Sequence, residues 1–141
     1  MTIYFPLDYI CAENLEKNTK IEICDVETGI NDDMAGYDIG PKSIEFFNKI
    51  ILSSKTVFWN GPPGVFEIDN FSKGSLSFVN SLMELTKQGG VTIVGGGETV
   101  NTVQLVKGGE QGIAHVSTGG GASLELMEGK ILPGIINLSE K

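Results

Sequence analysis

The sequence predicts an α/β fold in which helices cover both faces of a parallel sheet. Three observations lead there. Short apolar runs recur at residues 56–59 (TVFW), 91–94 (VTIV) and 113–116 (IAHV). Each is followed by apolar residues at helical spacing, and buried strands alternating with amphipathic helices mark a parallel sheet. Each run also ends in a glycine-rich loop. Glycine makes up 19 of 141 residues, about twice the usual share of roughly 7%. The excess is clustered, which points to special loops and not to low complexity.

Taken in order, residues 2–11 (TIYFPLDYIC) are apolar and β-prone, but Pro6 lacks an N–H and reduces the stretch to an edge strand or two short pieces. Ile21-Glu22-Ile23-Cys24 alternates as a short exposed strand does, and Glu27-Thr28-Gly29 reads as a turn. Residues 36–41 (GYDIGP) read as a loop. Pro41 suits a first helical position, where its fixed φ and missing N–H cost nothing. Ile44, Phe47, Ile50 and Ile51 then mark a helix of about three turns ending near Ser53 or Ser54. After the run at 56–59 comes Asn60-Gly61-Pro62-Pro63-Gly64. Leu76, Val79, Leu82 and Met83 follow, in a helix that closes at Gln88-Gly89-Gly90. The run at 91–94 ends in Gly95-Gly96-Gly97 and leads into a helix over 99–107. The run at 113–116 ends in residues 117–123 (STGGGAS), and a helix begins near Gly121 or Ala122 with Leu124, Leu126 and Met127. Right-handed crossovers bring all three loops to the carboxyl edge of the sheet, where open α/β sheets bind ligands. A strand that runs through glycines into a helix leaves first-turn amides unpaired at the positive end of the helix dipole, a site for phosphate.

The totals bound the partners. At 141 residues the chain is one domain or a piece of a larger one, with 40% hydrophobic residues for a core. A net charge of −8 argues against nucleic acid or an anionic membrane as partner. Phosphate would therefore be held by backbone dipoles, a metal or a partner's basic residues. Cys11 and Cys24 form no disulfide framework and lack metal-ligand spacing, which fits a reducing compartment. No stretch approaches the ~18 apolar residues of a membrane span. No charged segment followed by an apolar one opens the chain, so the expected location is cytoplasmic.

The short phosphate motifs do not match. No Gly-Lys-Ser/Thr occurs, and Val100 and Leu124 stand where a dinucleotide fingerprint needs its third glycine. The chemistry-bearing residues have two readings each. Asn60 can donate to a phosphate oxygen and Glu67 can accept from ribose hydroxyls, or the stretch is a structured turn with a solvated Glu67. Glu98 and Thr99 cap a helix, or Glu98 holds a Mg²⁺ bridging nucleotide phosphates while Thr99 binds phosphate. His115, the only histidine, reads as a packed structural residue ahead of a catalytic base, and the methionines read as core fillers.

Together these residues resemble the phosphoglycerate kinase family. Residues 58–67 (FWNGPPGVFE), Gly95-Gly96-Gly97, residues 115–129 (HVSTGGGASLELMEG) and Leu132-Pro133-Gly134 stand in the family's order and spacing. Residues 37–41 (YDIGP) and 5–8 (FPLD) also look like family segments. The resemblance covers essentially this whole chain and the last third or so of such an enzyme. It implies the C-terminal half of a doubly wound, Rossmann-like three-layer α/β/α domain, with residues 1–141 in the nucleotide-binding domain and the N-terminal domain absent. The family transfers a phosphoryl group between 1,3-bisphosphoglycerate and ADP, giving 3-phosphoglycerate and MgATP in glycolysis. Carried over, Gly36 and Val65 border the adenine, Asn60 and Pro62 lie along ribose and phosphates, and Glu67 binds the ribose. Gly96, Gly97 and Thr99 take phosphates, Glu98 takes the metal, and the amides of Gly119, Gly120 and Gly121 face the transferred group. Two residues depart from the family pattern. Glu98 replaces an Asp, and Tyr37 replaces a smaller aliphatic residue beside the adenine.

The resemblance also implies what the chain lacks: the glycerate-binding arginines, the family's other glycine-rich segment and the lysine that supports transfer. The expectation is a chain inactive alone, or a nucleotide-binding or subunit-pairing module without catalysis. The whole enzyme is usually monomeric. Half a sheet is expected to leave an unpaired edge and an uncovered apolar face that invite association. The tail 132–141, which packs towards the N-terminal domain in the family, lacks its dock.

Overall fold

The computed structural model describes residues 1–138; residues 139–141 of the expected tail lie outside them. Two three-stranded sheets organise the chain. β1 (Asp8–Ala12), β2 (Glu22–Asp25) and β3 (Ala35–Ile39) form an antiparallel sheet in the order β2-β1-β3. Pairing starts only after Pro6, with Tyr9 opposite both Cys24 and Ile39, and the β1–β3 register shifts between Ile10 and Cys11. β3 corrects the loop expected over 36–41. Its glycines punctuate the sequence like a turn, but pairing with β1 overrides that local signal, and Gly36 sits opposite Cys11 against the Tyr9 side chain. Cys11 and Cys24 are free and buried; burial, together with the neighbouring Cys24, pushes the Cys11 thiol up to about 12.

Helix α1 (Pro41–Ser53) starts on Pro41 as expected, and Gly40 supplies no side-chain cap. The cap comes from β1. The buried Asp8 carboxylate accepts the amides of Lys42 (3.0 Å) and Ser43 (2.8 Å). The Ser43 hydroxyl donates to the Asp8 carboxylate at 2.7 Å and accepts the amides of Leu7 and Asp8 at 2.8 and 2.9 Å. A negative group at the positive end of the helix is favourable electrostatically as well as through hydrogen bonding.

The second sheet is parallel. β4 (Thr56–Asn60), β5 (Val91–Gly95) and β6 (His115–Ser117) run in the order β4-β5-β6. Asn60 pairs with Gly95 and Gly95 with Ser117, so the three strands end level. Between them lie α2 (Lys73–Lys87), α3 (Gly97–Gln104) and the short α4 (Gly109–Gly112), with α5 (Gly120–Met127) last. The helix expected over 99–107 thus starts and ends earlier, with α4 lying beyond the expected stretch, and the last strand is shorter than expected.

The two faces of this sheet differ. One packs Trp59 and Val94 against Ile51, Val79, Leu82, Leu85, Val100, Val103 and Ile113 in a continuous core. The buried Thr92 hydroxyl is satisfied there, 2.6 Å from Thr86 Oγ1 and accepting the Ala114 amide at 3.0 Å. The other face carries Phe58 and Ile93, only half-buried, and α5, which buries no residue. His115 pairs with Ile93 on this thinly covered face and is exposed, so it is not the packed residue expected. Met127, 64% exposed, is no core filler for the same reason. No helix among the described residues is long and apolar enough to cross a membrane.

Candidate functional site

The level strand ends bring the three glycine-rich loops together, as the sequence predicts. Asn60, Gly61, Gly96, Gly97, Glu98, Thr99, Thr118, Gly120, Gly121 and Leu124 line one cleft of about 460 Å³. Its walls are close-packed backbone. A Cβ on Gly120 would lie 2.8 Å from the Gly96 Cα and 3.2 Å from Asn60 Nδ2. Gly96 has φ +99°, a conformation that L side chains rarely adopt. Thr99 is buried, and its hydroxyl accepts the Gly61 amide at 2.8 Å, tying the second loop to the first.

Two helix N-termini open onto this cleft. In the first turn of α3, the amides of Gly97, Glu98 and Thr99 find no protein acceptor among the described residues, while Val100 bonds back to Gly96. At α5 the three glycines are not equivalent. The Gly119 amide donates to Ser117 Oγ at 3.2 Å and that of Gly120 to the Thr118 carbonyl at 3.1 Å, leaving the Gly121 amide without an acceptor. Such paired N-termini suit an anion. All ten basic residues of the chain are lysines, and none of those among the described residues lines this cleft.

A second cleft of about 420 Å³ adjoins it, walled by Gly36, Tyr37, residues 62–67 and Glu98. Glu98 lines both, so the two form the halves of one extended site. Pro62 and Val65 form its wall, and the Val65 amide donates to the Tyr37 carbonyl at 2.9 Å, which seats the proline loop on β3. The Tyr37 ring packs on Phe71 with centroids 5.1 Å apart. Glu67 is exposed at the rim. No group of three or more His, Cys, Asp or Glu side chains gathers to hold a metal among the described residues. Glu98 is the one carboxylate lining the glycine-walled cleft among the described residues. A single carboxylate fits Mg²⁺ only when substrate phosphates and water complete the oxygen shell, since the unpaired amides bind anions and not the metal.

Sequence reasoning missed Asp38. It is 2% exposed, and its carboxylate accepts the amides of Gly74 at the start of α2 and of Ile39, both at 2.8 Å. Burial raises its pKa to about 6 against the lowering effect of those two amides. A Cβ on Gly64 or Gly74 would collide with this carboxylate. The signal was tertiary: two glycines, 26 and 36 residues further along the chain, that leave room for one buried carboxylate.

A parallel sheet flanked by helices, whose level carboxyl ends meet a glycine-walled cleft at two helix N-termini, defines a Rossmann-like α/β architecture. The chain belongs to the phosphoglycerate kinase family, whose model matches residues 1–130. It is 52% identical over 139 residues to phosphoglycerate kinase of Plasmodium falciparum (isolate 3D7) and 50% identical over 139 residues to that of Yarrowia lipolytica. Each match covers 99% of this chain and 33% of the relative. The structure of phosphoglycerate kinase from Coxiella burnetii superposes with a TM-score of 0.82 at 32% identity, covering 91% of this chain and 32% of that one. The crystal structure of the Pyrococcus horikoshii OT3 enzyme gives 0.71 at 27% identity. The chain thus spans about a third of the length of the relatives it matches, all from a phosphotransferase family.

Proposed function

We propose that residues 1–141 are the C-terminal part of the nucleotide-binding domain of a phosphoglycerate kinase, and that the extended cleft is its nucleotide site. The observation that carries this is the junction at Glu98 of an anion-ready half and a half-apolar half, at the carboxyl edge of the parallel sheet. In this reading Gly36, Tyr37 and Val65 border the adenine, Glu67 accepts from the ribose hydroxyls, and Asn60 and Pro62 flank the phosphate path. The Gly96–Gly97 turn and the Gly97 and Thr99 amides bind phosphate. The Gly121 amide, held in place by Gly119 and Gly120, faces the transferred phosphoryl group. Mg²⁺, when bound with the nucleotide through Glu98, supplies charge neutralisation to the phosphates. The chain's own part is positioning: preorganised amides aimed where negative charge sits, in a site that needs little rearrangement.

The reaction is phosphoryl transfer between 1,3-bisphosphoglycerate and ADP, in the cytoplasm. The glycerate substrates bind a part of the protein that these residues do not supply. With no cation among the described residues lining the cleft, this polypeptide alone is a nucleotide-binding module without turnover. Calorimetry with MgADP should give a dissociation constant on the order of 1 mM, equivalent to about −4 kcal/mol. Gly120→Ala, which drives the Gly96 and Gly120 loops apart, should abolish that heat while circular dichroism still reports folded helices. A coupled assay with 3-phosphoglycerate and MgATP should stay at background. Family-like turnover from the pure polypeptide, or MgADP binding unaffected by Gly120→Ala, would contradict this assignment.

A further inference from the structure

Asp38 has no place in the nucleotide site described above, yet it is wedged behind it. β3 carries Tyr37, a wall of the nucleoside half, and Asp38 is the next residue, its side chain turned into the protein. One carboxylate oxygen, Oδ2, holds the Gly74 amide at the start of α2; the other, Oδ1, holds the Ile39 amide. The same carboxylate sits against the backbone of Gly64, in the middle of the proline loop, where only a glycine leaves space beside it and the Phe71 carbonyl. Gly64 and Val65 are cleft residues, and Val65 is hydrogen-bonded to the Tyr37 carbonyl. One carboxylate therefore fixes three segments at once: the strand that bears Tyr37, the loop that bears Val65, and the first turn of α2.

We propose that Asp38 is a positioning residue for the nucleoside half of the cleft, and that its ionised form is the one that holds that wall in its binding geometry. The inference rests on the nucleotide-site reading. The physical argument is one of acceptors. A carboxylate offers an acceptor at each oxygen, and both are used. A neutral carboxyl keeps one acceptor and gains a donor, so one amide bond is lost and the hold on Oδ1, the oxygen that Gly64 lies against, changes. The proline loop is packed on that atom and must shift with it.

The charged groups on the elements packed against Asp38 do not provide an alternative switch. On β1, which pairs Ile10 with Asp38, the Asp8 carboxylate is committed to the Lys42 and Ser43 amides. Lys73 opens α2, Asp69 lies in the single turn Asp69–Phe71, and Glu67 is on the loop; none hydrogen-bonds to Asp38. What sets its titration is burial, opposed by the two amides, with a midpoint of about 6.

The test follows the wild-type chain and Asp38→Asn, which keeps one acceptor and mimics the neutral form. In wild type, the amide resonances of Gly64, Val65 and Gly74 should titrate together in nitrogen-15 NMR, between about pH 5 and about pH 7.5. Saturating MgADP should move that shared midpoint down, because a ligand that prefers the ionised form must favour deprotonation. MgADP affinity should fall roughly threefold to tenfold as pH is lowered through the same range in wild type, the worth of one hydrogen bond. It should be flat in Asp38→Asn after division by the nucleotide's own titration, which cancels in the ratio. A purely structural role would not move the binding ratio. Loop amides that stay still while Gly74 titrates, or identical binding profiles for the two proteins, would overturn the positioning role and leave the nucleotide site standing. Absence of any MgADP binding by wild type would overturn both.

Discussion

Asp38 is the residue whose physics is least like that of its neighbours. Its carboxyl titrates near 6 when folded, against an ordinary value of 3.8. A raised carboxyl contributes stability fully below the unfolded value and loses it as pH rises through the folded one. Keeping the charge buried at neutral pH therefore costs about 3 kcal/mol relative to pH below 4, taking about 1.4 kcal/mol per unit. Denaturation of wild type should accordingly show up to that loss relative to Asp38→Asn between about pH 4 and about pH 7. Parallel stability curves would mean that the carboxyl is not shifted. The sign opposes that proposed for nucleotide binding, since acid favours the fold and is proposed to disfavour the binding geometry. A buried charge retained at such a cost breaks a local rule, which fits the positioning role proposed for it.

Among the elements, α1 shows how far a helix can depend on residues outside itself. Its own N-terminus, Gly40-Pro41, supplies no side-chain cap, and the Asp8–Ser43 pair supplies one from β1. Ser43→Ala would leave the buried Asp8 amide and the part-buried Leu7 amide without their acceptor. It should destabilise the chain by about 2–3 kcal/mol, measured by urea denaturation, with the nucleotide cleft retained in the folded fraction. A loss within about 0.5 kcal/mol, the range of surface substitutions, would mean that water replaces the hydroxyl. This element also marks the limit of what sequence shows. The parallel strands and their loops were legible because each is local: an apolar tetrad, glycines, then a helical spacing. The remote cap, β3 and Asp38 were not, because each exists only through a partner about 25 or more residues away. In the site, the meeting of Asn60, Gly96 and Gly120 followed from strand order. The unequal roles of the Gly119, Gly120 and Gly121 amides did not, because they depend on how the loop bonds to itself.

At the scale of the whole molecule the asymmetry of the parallel sheet dominates. One face has nine buried residues in a single core. The other has half-buried Phe58 and Ile93 under a helix that buries nothing, with Leu126 58% and Met127 64% exposed. Beyond α5, Ile131, Ile135 and Ile136 are also more than half exposed. β4 and β6 each have one neighbour among the described residues, so both outer edges keep unpaired backbone groups. Apolar patches of this extent on a chain that spans a third of its relatives call for a cover, and an open strand edge offers a template for one. In isolation the nearest available cover is a second copy. Sedimentation velocity over a wide dilution series should therefore show reversible growth in mean mass with concentration. Leu126→Lys with Met127→Lys should suppress it, and because neither side chain is buried, thermal stability should stay within about 0.5 kcal/mol of wild type. A single monomeric species at every concentration would mean that the half-buried aromatic and aliphatic residues are adequately shielded by α5 alone.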